Sequence, residues 1–384
     1  MLKLSYKRVF YLIISIAFIA RIYFVFFTSF TWYGCDTETY LKMGKAILDG
    51  KPISYFPNGY PLLVALVTFI SGTYNLSVLV TINIAAQILT LLIAERILFK
   101  IGIEEKVRLI ILFLIAFFPD QLSRVRFIMT EPLSVLLVML SIYLFITKKY
   151  YLSGFSAYLS YAFRPSLILL LPILVFYQLY KGEKSDAAKI AAGIAVGFSL
   201  FVMTDITHLT APSDNQTQNI LVSIQSYGYN INHSFSDFNP EQIEHPVNTY
   251  ITFALTKPAK YIKQRFLALW SLWGPYVPSQ LGIFAMVLHG LRFPFFIIAV
   301  FTFLYIKRFG DKKDYIFILF SPVLSITFIH MLFFATQRHQ FAAEPFVIIL
   351  TVIGADYFLR KRLTPVNSKR RYLTLSGKHS AGGG

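Results

Sequence analysis

The sequence predicts an all-α, polytopic integral membrane protein of about ten transmembrane helices, and three observations carry that prediction. The chain is 56% hydrophobic and only 14% charged, with a mean hydropathy of +0.59, which leaves too little polar surface to cover a water-soluble globule of 384 residues. Apolar stretches recur along nearly the whole length, at the scale of the roughly 30 Å hydrocarbon layer that a helix must cross. The 36 Lys and Arg residues outnumber 19 acids, and most gather in alternate short connections: Lys3, Lys7 and Arg8; Arg96, Lys100, Lys106 and Arg108; Lys148 and Lys149; Lys181, Lys184 and Lys189; Lys307, Arg308, Lys312 and Lys313; Arg360 to Arg371. That is the inside-positive pattern, so the net charge of +17 argues for membrane orientation and against a nucleic-acid partner.

Taken in order, a short basic lead, Met1 to Arg8, opens a first span at about 9–30. Its apolar run continues through Arg21 to Phe30, longer than a signal-peptide core and without an Ala-x-Ala-like exit, so it reads as a retained helix. A polar external loop, 31–75, follows. Within it the Pro57-Asn58-Gly59-Tyr60-Pro61 turn signal leads into Tyr60 to Ile70, too short to span and read as a helix lying on the outer surface. Further spans are expected at about 77–98, 107–119, 131–147, 150–163, 165–180, 188–204, 283–306, 315–335 and 341–358. Pro119 and Pro165 should break the helices they interrupt, because proline lacks a backbone donor and disfavours helix in the residue before it. A second external loop, 205–282, is rich in Asn, Ser, Gln and Tyr and holds the aromatic stretch Phe266 to Tyr276. Residues 1–360 then form one transmembrane domain, and 361–384 a basic, disordered cytoplasmic tail. A single cysteine, Cys35, makes no intramolecular disulfide.

In so acid-poor a chain, Asp36 and Glu38 just beyond the first span stand out. Two residues apart on a helix diverge by about 200°, whereas in an extended loop they share a face. Read as a loop, the segment brings both to one pocket, with Asp36 as general base and Glu38 orienting it, holding a metal or contacting the substrate. The alternative is a solvated interfacial loop with an acid at the start of a helix over Tyr40 to Leu48. A divalent ion shared by Asp36 and Glu38 is compatible with the pair but not demanded. His208, His233, His245 and His339 lack zinc-ligand spacing, so no structural metal is expected.

Cations fall at the predicted external membrane ends. Arg164, Arg338, His339, Arg124 and Arg126 lie where lipid phosphates sit, and a guanidinium fork suits phosphate oxygens. Snorkelling to the headgroups is the competing explanation for each arginine. Glu131, preceding Pro132 at the start of a helix, is either a dipole-favoured helix-start acid or a partner for a substrate or a nearby arginine. Arg21 and Arg292, inside spans, read as structural pairs. Lys257, Lys260, Lys263 and Arg265 form an external basic cluster suited to a lipid phosphate, an acidic acceptor or anionic headgroups. Trp270, Trp273 and Tyr276 read as interfacial aromatics.

Asp36, Tyr40, Gly44, Gly50 and Pro57-Asn58-Gly59-Tyr60-Pro61-Leu62-Leu63 together resemble the first external loop of the GT-C superfamily of polytopic glycosyltransferases, most of all its protein O-mannosyltransferase and aminoarabinose transferase branch. Later stretches agree in order: Phe118-Pro119, Met129-Thr130-Glu131-Pro132, Phe163-Arg164-Pro165, Phe266 to Pro275, and Arg338-His339-Gln340-Phe341 with Glu344-Pro345. The resemblance covers about residues 1–360. It implies transfer of one sugar from a polyprenyl-phosphate carrier to a glycan, lipid or protein hydroxyl at the non-cytoplasmic face of the cell membrane, with inversion and with Asp36 as base. It also places Tyr40, Tyr60, Glu131, Arg164, Lys263, Arg338 and His339 on the substrate side. Thr37 separates acids that the nearest branch often has adjacent, which weakens the case for Glu38. A transporter or flippase of lipid-linked sugars, and a ligase moving a whole glycan, are the rival readings.

Overall fold

The computed structural model describes residues 5–28, 32–34, 36–51, 58–210, 246–274, 290–333, 335 and 337–363. Expectations for Cys35, for Phe56 and Pro57, for His233, His245, Pro275 and Tyr276, for most of the 205–282 loop and for the tail from 364 lie outside these residues, as does the His208 side chain. Every regular element among the described residues is helical. In chain order they are α1 (Tyr6–Phe26), α2 (Thr37–Leu48), α3 (Gly59–Ser71), α4 (Leu76–Lys100), α5 (Glu105–Phe117), α6 (Pro119–Arg124), α7 (Glu131–Ile146), α8 (Tyr150–Phe163), α9 (Leu170–Tyr180), α10 (Lys184–Thr210), α11 (Pro246–Thr256), α12 (Pro258–Trp273), α13 (Arg292–Leu304), α14 (Lys313–Leu332) and α15 (Glu344–Leu363).

A helix underlies each of the ten apolar segments expected to span. By length and composition, Tyr6–Phe26, Leu76–Lys100 and the run Ile306–Leu332 are long and apolar enough to cross a membrane, with Gly59–Ser71, Glu131–Ile146, Pro165–Tyr180 and Arg292–Leu304 as shorter apolar helices. Large apolar side chains on α1 stay exposed, among them Tyr11, Leu12, Ile19 and Tyr23. An apolar stripe of that kind belongs against lipid. Together with the composition, these helices make the chain an integral membrane protein.

The prolines act where expected and thereby shape the site. Pro119 holds Phe118 extended at φ −62°, ψ 132°, which ends α5 and starts the short α6. Pro165 does the same to Arg164, at φ −145°, ψ 101°, so α8 stops there and a 3-10 turn, Pro165–Leu167, separates it from α9. Helices approach closely where a side chain would not fit. A Cβ on Gly154 or Gly193 would run into the backbone of Ile190 or Tyr151, so α8 and α10 pack nearly backbone to backbone. A Cβ on Gly59 would come within 2.7 Å of the Ala162 carbonyl oxygen, which seats the start of α3 on the end of α8.

The bundle has two distinct ends. At one, the basic connections meet. Lys312 donates to the Gly102 carbonyl at 2.8 Å, Arg360 makes a two-pronged pair with Glu104, Lys181 meets Asp314 at 2.8 Å, and Arg108 and Tyr6 both donate to Glu95 at 2.9 and 2.8 Å. From Arg360 back to Glu344 along α15 is about 24 Å of helix at 1.5 Å per residue. Glu344, and the charged side chains that pair around it, therefore lie toward the other end.

Candidate active site

Asp36 is the residue ahead of α2, and its position is set by neighbours rather than by its own loop. The Ile128 amide donates to the Trp32 carbonyl at 3.0 Å, and the buried Thr37 hydroxyl donates to the Ile128 carbonyl at 3.0 Å while accepting from the Gly34 amide at 2.8 Å. Trp32 donates its indole N–H to Val25 at 3.0 Å. These bonds tie residues 32–37 to the end of α1 and to the segment before α7. Beneath them Tyr40, Leu41, Tyr60, Val64, Leu79, Ile84, Val125 and Ile128 form a separate apolar cluster.

The expected extended segment is a helix instead. Thr37 to Leu48 coil, so Asp36 and Glu38 diverge as helical geometry requires. Glu38 has a side chain 71% exposed and pairs with Lys42 at 2.7 Å, a contact that holds its carboxyl below the usual range. Asp36 turns inward and pairs with the Arg338 guanidinium. The pair envisaged as sharing a divalent ion is thus split: Arg338 faces one carboxylate and Lys42 the other. Among the described residues no group of three or more His, Cys, Asp and Glu converges.

From Asp36 a network runs inward. Arg338 Nε lies 3.5 Å from Glu131 Oε1, and Arg164 Nη1 lies 3.5 Å from the same oxygen. Arg164 Nη2 also donates to the His339 carbonyl at 3.0 Å and, at 3.4 Å, to that of Arg338. Glu131 is buried at the first position of α7, with the positive end of that helix beneath it and two guanidinium groups above. Burial alone would push the Arg338 guanidinium down, but Glu131 and Asp36 outweigh it and raise it. Tyr40, buried, has its phenol pushed up by that burial and by Asp36 and Glu131. Its ring lies 5.0 Å from that of Tyr60, which is fully buried.

Of the residues singled out by sequence, the structure therefore assembles Asp36, Glu131, Arg164 and Arg338, with Tyr40 and Tyr60 packed beneath. His339 joins through its carbonyl, while its ring stacks on His330 at 4.1 Å. Glu38 and Lys263 stand apart, Lys263 on the exposed face of α12. Arg126 lies over the rings of Phe24 and Phe127, at 5.2 and 4.5 Å, and Arg124 is close enough to Glu131 to act on its charge. Arg265, grouped by sequence with the external lysines, is buried: it lies on the inward stripe Gln264, Arg265, Ala268, Leu272 of α12, whose helical spacing marks the packed face. Trp273 is likewise a core residue, stacked on Phe296 at 4.4 Å, whereas Trp270 is half exposed.

A second charged cluster lies at the same end. Arg292 pairs with Asp120 and comes within 3.5 Å of Glu344 Oε1, and Gln121 donates to Glu344 Oε2 at 2.8 Å. With its amide turned to suit, Gln340 donates to the Leu272 carbonyl at 2.7 Å and accepts from Arg292 at 3.0 and 3.1 Å. Sequence anticipated the pairing of Arg292 but passed over Asp120 and Gln121. The signal was available in Asp120 following a Phe-Pro break, where the residues after the proline turn inward. Arg21, also read as structural, donates to Gln87 at 2.6 Å and to the Ala17 and Ala116 carbonyls at 3.0 Å each.

No family model and no curated protein matches this sequence. Solved structures do resemble it. The apo crystal structure of the Archaeoglobus fulgidus oligosaccharyltransferase superposes with a TM-score of 0.54 at 12% identity, covering 97% of this chain and 53% of that one. The same organism's oligosaccharyltransferase AglB, in complex with an inhibitory peptide and a dolichol-phosphate, gives 0.52 at 13%, covering 98% and 52%. The chain thus spans about half the length of the structures it resembles, and at such identity the likeness is one of fold. The shared feature is the helical fold of those oligosaccharyltransferase structures.

Proposed function

We propose that this protein is a membrane glycosyltransferase that moves a sugar from a polyprenyl-phosphate carrier to an acceptor hydroxyl at the non-cytoplasmic face. The observation that carries the reading is the Asp36–Arg338–Glu131–Arg164 network: a partly accessible carboxylate beside two guanidinium groups, at the end of the bundle opposite the basic connections. The co-structure of AglB with a dolichol-phosphate and a peptide supports a lipid-phosphate donor on this fold. The ten helices under the apolar segments support about ten crossings, with both termini in the cytoplasm.

The chemistry follows from the residues. Asp36 takes the proton of the acceptor hydroxyl as its oxygen attacks the anomeric carbon. The bond from that carbon to the phosphate oxygen breaks, its electron pair stays with the carrier phosphate, and a single displacement inverts the centre. Arg338 and Arg164 meet the charge that develops on the phosphate, and such preorganised cations act most strongly away from bulk water. Arg338 neutralises Asp36 in the present arrangement, so a phosphate that draws the guanidinium toward itself also frees the base. Glu131 keeps both arginines oriented.

A whole-glycan transfer is the second reading, favoured by the oligosaccharyltransferase fold of the neighbours. Purified protein incubated with a panel of polyprenyl-phosphate sugars and glycan-bearing carriers tests both. Release of free polyprenyl phosphate from a monosaccharide donor, with one sugar added to the acceptor by mass, is the expected result. Transfer only of a preassembled glycan would replace the single-sugar reading, and release from neither would refute the enzyme.

A further inference from the structure

We infer that Arg265 is a positioning residue for Arg338, and that α12 is the clamp that sets residues 333, 335 and 337–343 against Asp36. This inference rests on the proposed reading of Asp36 and Arg338 as the site. The segment between α14 and α15 carries Arg338 into one charged cluster and Gln340 into the other, yet a 3-10 turn, Gln337–Ala342, is its one regular element among the described residues. A 3-10 turn of six residues is a short ladder, so the anchors around it decide where Arg338 stands.

One set of anchors is on α12. The C-terminus of α14 leaves carbonyls without helical partners. Arg265 Nη1 donates to the carbonyls of Met331 at 3.1 Å, of Leu332, and of Phe333 at 3.4 Å. The Tyr250 hydroxyl donates to the Leu332 carbonyl as well and lies 3.0 Å from the Tyr261 hydroxyl. The Arg265 guanidinium sits over the Tyr261 ring at 5.2 Å and near that of Tyr250 at 5.8 Å. Its buried charge is thus met by the negative end of α14 and by two aromatic faces. Farther along the same helix, Ser271 donates to the Ala335 carbonyl at 3.3 Å, and the Leu272 carbonyl accepts from Gln340. From the opposite side Arg164 takes the carbonyls of Arg338 and His339. The segment is gripped at 331–333, 335 and 340 by α12, and at 338 and 339 by Arg164. Release of the α12 grip lets Arg338 drift from Asp36, and small misplacements of a charge-bearing group cost rate steeply.

Arg265→Gln, Arg265→Lys and Tyr250→Phe in the full chain test this, with two readouts. Limited trypsin digestion followed by mass spectrometry measures cleavage after Arg338 relative to cleavage in the Lys181–Lys184 connection at the other end of the bundle. Steady-state transfer from a polyprenyl-phosphate sugar measures the reaction. The expected result is that Arg265→Gln accelerates cleavage after Arg338, leaves the Lys181–Lys184 sites unchanged and lowers kcat/KM for the donor by about 10- to 100-fold. Arg265→Lys restores part of both. Tyr250→Phe, which removes one bond and keeps the guanidinium, moves both in the same direction by less, and keeps the test available if Arg265→Gln does not fold. Unchanged cleavage after Arg338 would overturn the inference, as would faster cleavage with undiminished transfer. A cleavage response in a protein whose wild type transfers no sugar would sink the reaction and leave the clamp standing.

Discussion

Two charged clusters share one end of this bundle, and they differ in what can reach them. In the first, Asp36 and Arg338 keep 19 and 26% of their side-chain surface open, while Glu131 and Arg164 behind them are buried. In the second, Arg292 and Glu344 keep 4% each and Asp120 is buried too. Both contain an arginine between two carboxylates. The lesson is that composition does not separate the cluster proposed to react from one proposed to join helices. A group that must exchange partners needs an approach for the incoming ligand, whereas the more buried cluster joins α6, α13 and α15.

That contrast is open to attack by substitution. The largest effect on stability is expected in the more buried cluster: Arg292→Met leaves Asp120 and Glu344 buried without their cation and costs about 3–5 kcal/mol, read as a lowered thermal midpoint in detergent. Neutralising the whole group, as Arg292→Met with Asp120→Asn and Glu344→Gln, regains most of that loss; failure to regain it would mean that the charges do more than balance one another. In the open cluster the expected change is in rate rather than in folding. Arg338→Lys, which exchanges a planar fork for a point charge, lowers kcat/KM for the donor by about 10- to 100-fold with the thermal midpoint nearly unchanged. A lowered midpoint with normal transfer would make Arg338 structural and erase the distinction. Glu38→Gln should be the smallest, within about twofold of wild type in transfer, because its partner is the exposed Lys42.

Much of the architecture was legible because hydropathy and basic connections are averages over many residues. Ten apolar segments, the helix breaks at Pro119 and Pro165 and the helix at Gly59–Ser71 all follow from such runs. The site was legible only in its members. Nothing in the sequence says that Asp36 meets Arg338, three hundred positions away, or that Arg164 and Arg338 converge on one oxygen of Glu131. Those pairings are set by how helices pack, which local patterns do not encode. The helix at Thr37 to Leu48 was open in the sequence only as the alternative to an extended loop, for a different reason. Thr37-Glu38-Thr39 is a poor helix former on its own, and the helix is held by burial of Tyr40, Leu41, Met43 and Gly44 against α3. The same packing argument explains Arg265, whose charge suggested the surface while its position on the inward stripe of α12 placed it inside.

The central claim is that the Asp36 carboxylate takes the acceptor proton, and the direct test sets wild type beside Asp36→Asn in release of polyprenyl phosphate from a polyprenyl-phosphate sugar. Asparagine keeps the size and cannot accept the proton, so the account predicts a loss of about 100- to 10,000-fold in turnover with the thermal midpoint preserved. Turnover by the folded variant within a few fold of wild type would contradict it.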